Sequence, residues 1–382
     1  MKAITYLIFI IMISPISAQV GGGCDGCELM YIGMPKNIKS TSYSPSYDKD
    51  NSGRLLITGK VFHNDGITPA NNVVIYYWHT DKNGLYSSDG QLTQNVKRHG
   101  YIRGWVKSDK GGHYSIYTSK PKAYHNRNTP AHIHLSIKEP NITDEYYVDN
   151  LVFDYDPLLT TQYRKKAQNR GGSGILRPLI SNNLIIAEHN IILGLNIPNY
   201  PVATNVFDSG LKTGEDFHSI TPYHAWGADI GTTTCPVCRY GRYLGVMYFV
   251  NSLKNESVKK WLMYLEKQSI LRGDHLKVYL IYGNAYKHDF DQRNAELSEL
   301  GKELKLEKIA LTSVPSFNDK KSDIHLLKIN PQASNTFLIY RNRNIIGKFV
   351  NNKPNKENFI KLNALLDNNS NDFFNLSIDK RK

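Results

Sequence analysis

From Arg54 onward, apolar and polar residues alternate in short runs with the period of two that half-buried strands follow. The runs are Leu55 to Phe62, Asn72 to His79, Tyr101 to Val106, Tyr114 to Thr118 and Ala131 to Ile137. Asp65-Gly66, Asn83-Gly84 and Gly111-Gly112 lie between them and suit the backbone angles of tight turns. Regular short strands with such punctuation predict an all-β sandwich over residues 53–198, with Trp78 and Trp105 in its core or lining a pocket. Tyr146 to Leu159, acidic and aromatic, reads as a loop packed on the sandwich. Asn169 to Gly174 reads as a glycine-rich turn into a strand from Ile175, with a backbone nest for an anion as the alternative. Residues 19–52 read as an irregular, cysteine-containing lead-in and 199–214 as a linker.

The pattern then changes. Leu244 to Val250 is a short apolar strand, and Ser257 to Leu271 has helical spacing with Trp261, Leu262, Leu265 and Ile270 on one face. Leu276 to Tyr282 is a strand, Gln292 to Leu304 a helix and Ile309 to Ser313 a strand. Thr336 to Tyr340 and Ile345 to Val350 form a hairpin around Asn342-Arg343-Asn344, and Asn358 to Leu366 is a final helix before a polar tail, 369–382. This α/β order over 215–368 resembles the thioredoxin-like fold of the redoxins and peroxiredoxins. The likeness has two departures. Cys235-Pro236-Val237-Cys238 precedes the first core strand instead of following it, and no proline stands directly before Thr336.

At 382 residues, 40% of them hydrophobic, the chain is long enough for two globular domains. Its formal charge of +13 is spread along the sequence, as for a solvated surface, and no nucleic-acid motif accompanies it. Lys2 followed by the apolar run Ile4 to Ile16 and Ser17-Ala18 reads as a secretory signal cleaved after Ala18, so the chain is expected to be exported, periplasmic or extracellular. That run is short for a bilayer span, no other run suggests one, and Gly21-Gly22-Gly23 fits a lipid attachment at Cys24 poorly. The four cysteines form two C-x-x-C pairs, Cys24/Cys27 and Cys235/Cys238. In an exported protein these read as disulfides or redox pairs, and a shared Cys₄ zinc site is the weaker reading.

The chemistry centres on Pro130-Ala131-His132-Ile133-His134. On a strand His132 and His134 share a face, and a bare pair is more often an ordinary strand surface than a metal site. Tyr86, after the Gly84-Leu85 turn, and Tyr124, in a proline-flanked loop, change this. Phenolate is a hard anionic donor that favours Fe(III) over Zn(II) or Cu(I). Together, Trp78, Asp81 to Tyr86, Arg103 to Tyr114, Pro121 to Tyr124 and Pro130 to His134 resemble the ordered motifs of the intradiol ring-cleavage dioxygenases, the catechol and protocatechuate dioxygenases, over roughly Leu55 to Leu195. The resemblance implies a non-haem Fe(III) held by Tyr86, Tyr124, His132 and His134. A catechol-like diol and O₂ would be the substrates and a muconate-type diacid the product, and a homo-oligomer is compatible with the family. It also implies that the chelating diol displaces Tyr124, which takes up a substrate proton. Where the family has arginine directly before the PAHIH proline, this chain has Thr129, so Arg127 and Arg103 are the candidate catalytic cations. Two other readings stand beside this one: an envelope thiol-redox protein acting through Cys235 and Cys238, and a β-sandwich binding module without metal.

Overall fold

The computed structural model describes residues 19–49, 53–88, 90, 92–201, 207–285 and 289–369. The signal-like segment 1–18, part of the expected linker and the tail from 370 lie outside the described residues.

The N-terminal half is a sandwich of two sheets. Its elements in chain order are β1 (Thr41–Tyr43), β2 (Arg54–Phe62), β3 (Val74–His79), β4 (Arg103–Lys107), β5 (His113–Ser119), β6 (His132–Lys138) and β7 (Tyr146–Phe153). After α1 (Thr161–Lys166) come β8 (Ile175–Leu176), β9 (Leu179–Ser181), β10 (Leu184–Glu188) and β11 (Ile191–Ile192). One sheet runs β1-β5-β2-β10-β9, with β11 also on β2, and the other runs β4-β3-β6-β7-β8. Between them Leu55, Ile57 and Val61 of β2 meet Ile75 and Tyr77 of β3, Ile133, Leu135 and Ile137 of β6, and Leu151 and Phe153 of β7. Alternation then fixes what lies on the other face of the second sheet. Tyr76 and Trp78 of β3 are there, covered by Met30, Tyr86 and Trp105, and so are His132 and His134 of β6.

Two expectations are corrected here. Tyr146 to Phe153 is a full strand, not a loop. It pairs antiparallel with β6 and places Tyr146, Val148, Leu151 and Phe153 in the core. Its polar run Asp149-Asn150 hid the alternation, and there β7 carries one extra residue opposite the Ile133 to Leu135 step of β6. The lead-in is likewise part of the sandwich. A 3₁₀ turn at Cys27–Tyr31 inserts Met30 over Tyr76 and Trp78, and β1 pairs parallel with β5. The Asn169 to Gly174 loop is a turn with no free nest. The amides of Gly171, Gly172 and Ser173 already donate to the carbonyls of Leu195, Asn169 and Gly214.

The C-terminal half contains β12 (Tyr223–Trp226), α2 (Pro236–Tyr240), β13 (Leu244–Val250), α3 (Glu256–Arg272), β14 (Leu276–Tyr282), α4 (Phe290–Glu303), β15 (Ala310–Ser313), β16 (Asn335–Arg341), β17 (Asn344–Val350) and α5 (Lys356–Asp367). The sheet order is β12-β15-β14-β13-β16-β17, with β13, β14 and β15 parallel and the remaining pairs antiparallel. Every residue of β13 is buried, as a strand covered on both faces requires. The helices start at side-chain caps: Asn255, Asp289 and Asn355 accept the amides of Ser257, Gln292 and Asn358. Val258, Trp261, Leu262 and Leu265 bury the inner face of α3, each contributing about 1.5–3 kcal/mol. Ile270, expected on the same face, is exposed. Among the described residues no helix is long and apolar enough to cross a membrane.

The halves meet along a polar seam. Ser173 N–H donates to Gly214 O (2.7 Å), and Gly214 N–H donates to Ile345 O (2.7 Å). Arg177, almost wholly buried, reaches Asp216 (2.8 Å), Asp154 (3.6 Å) and the carbonyl of Asn342 (3.2 Å). Residues 209–214, expected to be linker, belong to this packing: Ser209 bonds Thr336, and Leu211 is buried beside Phe217 and Ile329.

Candidate metal centre

The β3–β4 connection and the loop before β6 bring the two expected tyrosines together. Asp81 organises the first. Its Oδ1 accepts the amides of Asn83 (2.8 Å) and Leu85 (3.1 Å), and its backbone N–H donates to Leu85 O (2.9 Å). Gly84 lies at φ +77°, and a Cβ there would sit 2.3 Å from Ala123 O. The glycine therefore lets the Tyr86 loop lie against the Tyr124 loop. Thr80 Oγ1, donating to Lys122 O (2.6 Å), ties the second loop to the first.

As a result, Tyr86 Oη lies 2.6 Å from Tyr124 Oη and 3.0 Å from His134 Nε2. Tyr124 Oη is 3.5 Å from His134 Nε2, and the Nε2 atoms of His132 and His134 are 3.1 Å apart. All four residues singled out from the sequence thus converge on one point. His132 Nδ1 lies 2.7 Å from Pro130 O, which can only accept, so Nδ1 carries the proton and Nε2 presents a lone pair. His134 Nδ1 faces Asn150 Oδ1 at 2.9 Å, with the same consequence. Two imidazole lone pairs then face each other with only two phenol protons nearby, and a cation between them removes that repulsion. The separations suit a shared ion, since donors about 2.1 Å from one centre and at right angles to each other lie about 3 Å apart. Among the described residues no three His, Cys, Asp or Glu side chains gather to hold a metal, so phenol oxygens have to complete a site here. The donor set therefore fits a hard cation.

Burial governs the electrostatics. It pushes His134 down to about 3, helped by neighbouring His132, and it also lowers His132, so both rings are neutral donors. Burial raises the phenol of Tyr86 well above its usual value, with Tyr124 adding to the effect and Arg127 opposing it.

The ligand rings rest on an aromatic stack that sequence reasoning did not find. Trp78 pairs with His134 across β3 and β6, and their rings stack at 4.8 Å. His99 also stacks on Trp78, at 4.1 Å, and its Nδ1 lies 2.9 Å from Tyr76 Oη. Asn150, which orients His134, was also missed, because its place depends on the β6–β7 register. The two candidate arginines separate. Arg127 is exposed, with its guanidinium 5.6 Å from the centre of the Tyr124 ring. Arg103 is not at the donor cluster. It donates to Ile32 O (3.0 Å) and Tyr76 Oη (3.3 Å) and lies over Trp105, contacts that suit a place in the structure or the pocket wall. Both cysteine pairs are disulfides, Cys24–Cys27 and Cys235–Cys238, so no shared zinc site forms.

No curated protein matches the sequence. Solved structures resembling part of the chain include the dioxygenase domain of a dioxygenase carbohydrate-binding protein fusion from Streptomyces (16% identity, 42% of this chain and 91% of that one, TM-score 0.31). Others are hydroxyquinol 1,2-dioxygenase from Pseudomonas putida (20%, 42% and 62%, 0.32) and catechol 1,2-dioxygenase from Acinetobacter radioresistens (15%, 46% and 63%, 0.33). The similarity spans less than two thirds of the latter two chains. Residues 30–173, which carry all four converging donors, match the family described as Dioxygenase.

Proposed function

We propose that the sandwich is an exported non-haem Fe(III) intradiol dioxygenase that opens a catechol-like ring with O₂ to a muconate-type diacid. The observation that carries this reading is the convergence of two imidazole lone pairs and two phenol oxygens around His134 Nε2, which lies within 3.5 Å of each of the other three donor atoms, with both Nδ1 atoms already committed. Ferric iron, when bound, supplies the Lewis acidity that lowers the pKa values of a chelating diol and prepares its ring for O₂.

The remaining work falls to the chain. Pro130 O and Asn150 Oδ1 hold His132 and His134 in one tautomer. Trp78 fixes the plane of the His134 ring. Tyr124 sits on a loop, half-buried, and is the donor free to turn aside and receive a substrate hydroxyl proton on Oη. Arg127, above the Tyr124 ring, supplies positive charge at the mouth, where Thr129 cannot. The signal-like residues 1–18 and the two closed disulfides support export. The βαβα run with its terminal hairpin and helix supports a thioredoxin-like reading of the C-terminal half.

The test is metal content and visible spectrum of the chain from residue 19, followed by O₂ uptake with catechol. Near-stoichiometric iron, a tyrosinate-to-iron colour lost in His132→Ala and diol-dependent O₂ uptake are expected. A colourless protein that refuses Fe(III) would sink the reading.

A further inference from the structure

The dioxygenase reading leaves the Cys235–Cys238 disulfide unused. Its two sulfurs sit in different settings. Cys238 is exposed, whereas Cys235 is half-buried against the cluster around Val237, Tyr279 and Tyr340. The other pair differs: Cys27 is wholly buried and introduces the turn that inserts Met30.

The chain around Cys235 and Cys238 is held without the S–S bond. Upstream, His224 Nε2 donates to Thr234 O (2.9 Å), His224 N–H to Thr232 O (2.9 Å) and Gly231 N–H to His224 O (2.9 Å). Downstream, Arg343 N–H donates to Gly241 O (2.7 Å), and Arg239 pairs with Asp229. A bridge between residues three apart closes a very short loop and so restricts the unfolded chain little. The frame therefore persists when the bridge opens. Cys235 Sγ already accepts the Cys238 backbone N–H at 3.1 Å, a contact that strengthens when this sulfur carries charge. His224, which holds Thr234 through Nε2, is wholly buried.

We propose that Cys235–Cys238 is a working disulfide that takes two electrons from an exposed dithiol, with Cys238 as the sulfur attacked. A thiolate of the dithiol attacks Cys238 Sγ, the Cys235–Cys238 bond breaks, and its electron pair stays on Cys235 Sγ, held by the Cys238 N–H. The dithiol's second thiolate then attacks its own sulfur in the mixed disulfide and releases Cys238. The dithiol leaves as a disulfide, having lost two electrons and two protons, and the protein keeps both as a Cys235/Cys238 dithiol. This activity is independent of any metal on the sandwich.

The experiment titrates the chain from residue 19 in dithiothreitol redox buffers, with maleimide labelling read by mass spectrometry and fold followed by far-UV circular dichroism. Cys235–Cys238 is expected to open reversibly in the folded protein while Cys24–Cys27 stays closed. Opened with reduced glutathione and quenched with maleimide, the bridge should carry glutathione on Cys238 and the label on Cys235 about ten-fold more often than the reverse. A bridge that opens only when guanidinium unfolds the chain, or glutathione found mainly on Cys235, overturns the proposal.

Discussion

Truncating Asn150 to alanine isolates the support behind one ligand. Asn150 Oδ1 accepts a hydrogen bond from His134 Nδ1–H at 2.9 Å, in a setting buried enough to push that imidazole down to about 3. Without it the N–H has no partner, which costs about 1–3 kcal/mol for a buried donor. Loss of a group that orients a metal-bound histidine lowers metal affinity about 10–100-fold. At about 1.4 kcal/mol per factor of ten this is about 1.4–2.8 kcal/mol, so the two routes agree. The assay is competition for iron with a chelator at fixed pH, read alongside the visible band. Asn150→Asp, which keeps an acceptor in place, should recover most of the affinity. If Asn150→Ala folds and holds iron as tightly as the parent, the Trp78 stack alone orients His134 and the reasoning fails.

Tyr86→Phe removes an oxygen that lies within 3.0 Å of both Tyr124 Oη and His134 Nε2. Iron retention should fall and the colour should change, whereas unchanged metal content would remove Tyr86 from the ligand set. Gly84→Ala places a methyl 2.3 Å from Ala123 O at φ +77°, so it should part the two tyrosine loops and weaken iron binding while the C-terminal half melts as before. Arg177→Met strands Asp216 at the seam, while Asp154 keeps Arg164, and should cost about 3–5 kcal/mol in denaturant unfolding, most of it restored by adding Asp216→Leu. His189 is buried, and burial pushes it down to about 4. Between there and its ordinary value of about 6.5 only the unfolded chain binds the proton, so stability present above about pH 6.5 should be lost by a few kcal/mol as pH falls toward 4. Denaturant midpoints at pH 7 and pH 5 measure this, and His189→Gln should flatten the slope.

Much of this fold is legible in the sequence where burial and periodicity coincide. Leu244 to Val250 and Leu276 to Tyr282 are apolar strands whose ends match the structure, and the expected hairpin turns at Asn342-Arg343. The four donors were legible through the ordered motifs that resemble the intradiol dioxygenases, because the histidine pair alone reads as an ordinary strand face. What escaped depends on contacts between distant segments. Ser44, Ser46, Thr118 and Ser119 look like surface residues, yet they are buried and bond one another in a chain that reaches His79. Their polarity is satisfied only after the lead-in folds onto β5, which no local pattern records. Asn150 and His99 belong to the same class, the first set by strand register and the second by the lid over Trp78.

The His99–Trp78–His134 stack has an optical consequence. An indole in ring contact with a ligand of an open-shell ion loses its excited state to that ion, so light from Trp78 should dim as the site fills. Trp226 and Trp261 pack in the C-terminal core, away from the stack, and should stay bright. The four tryptophans thus divide into a gauge and a reference. With Trp105 beside Tyr76 on the gauge side, the chain's own emission can follow occupancy of the sandwich during loading, without an added dye.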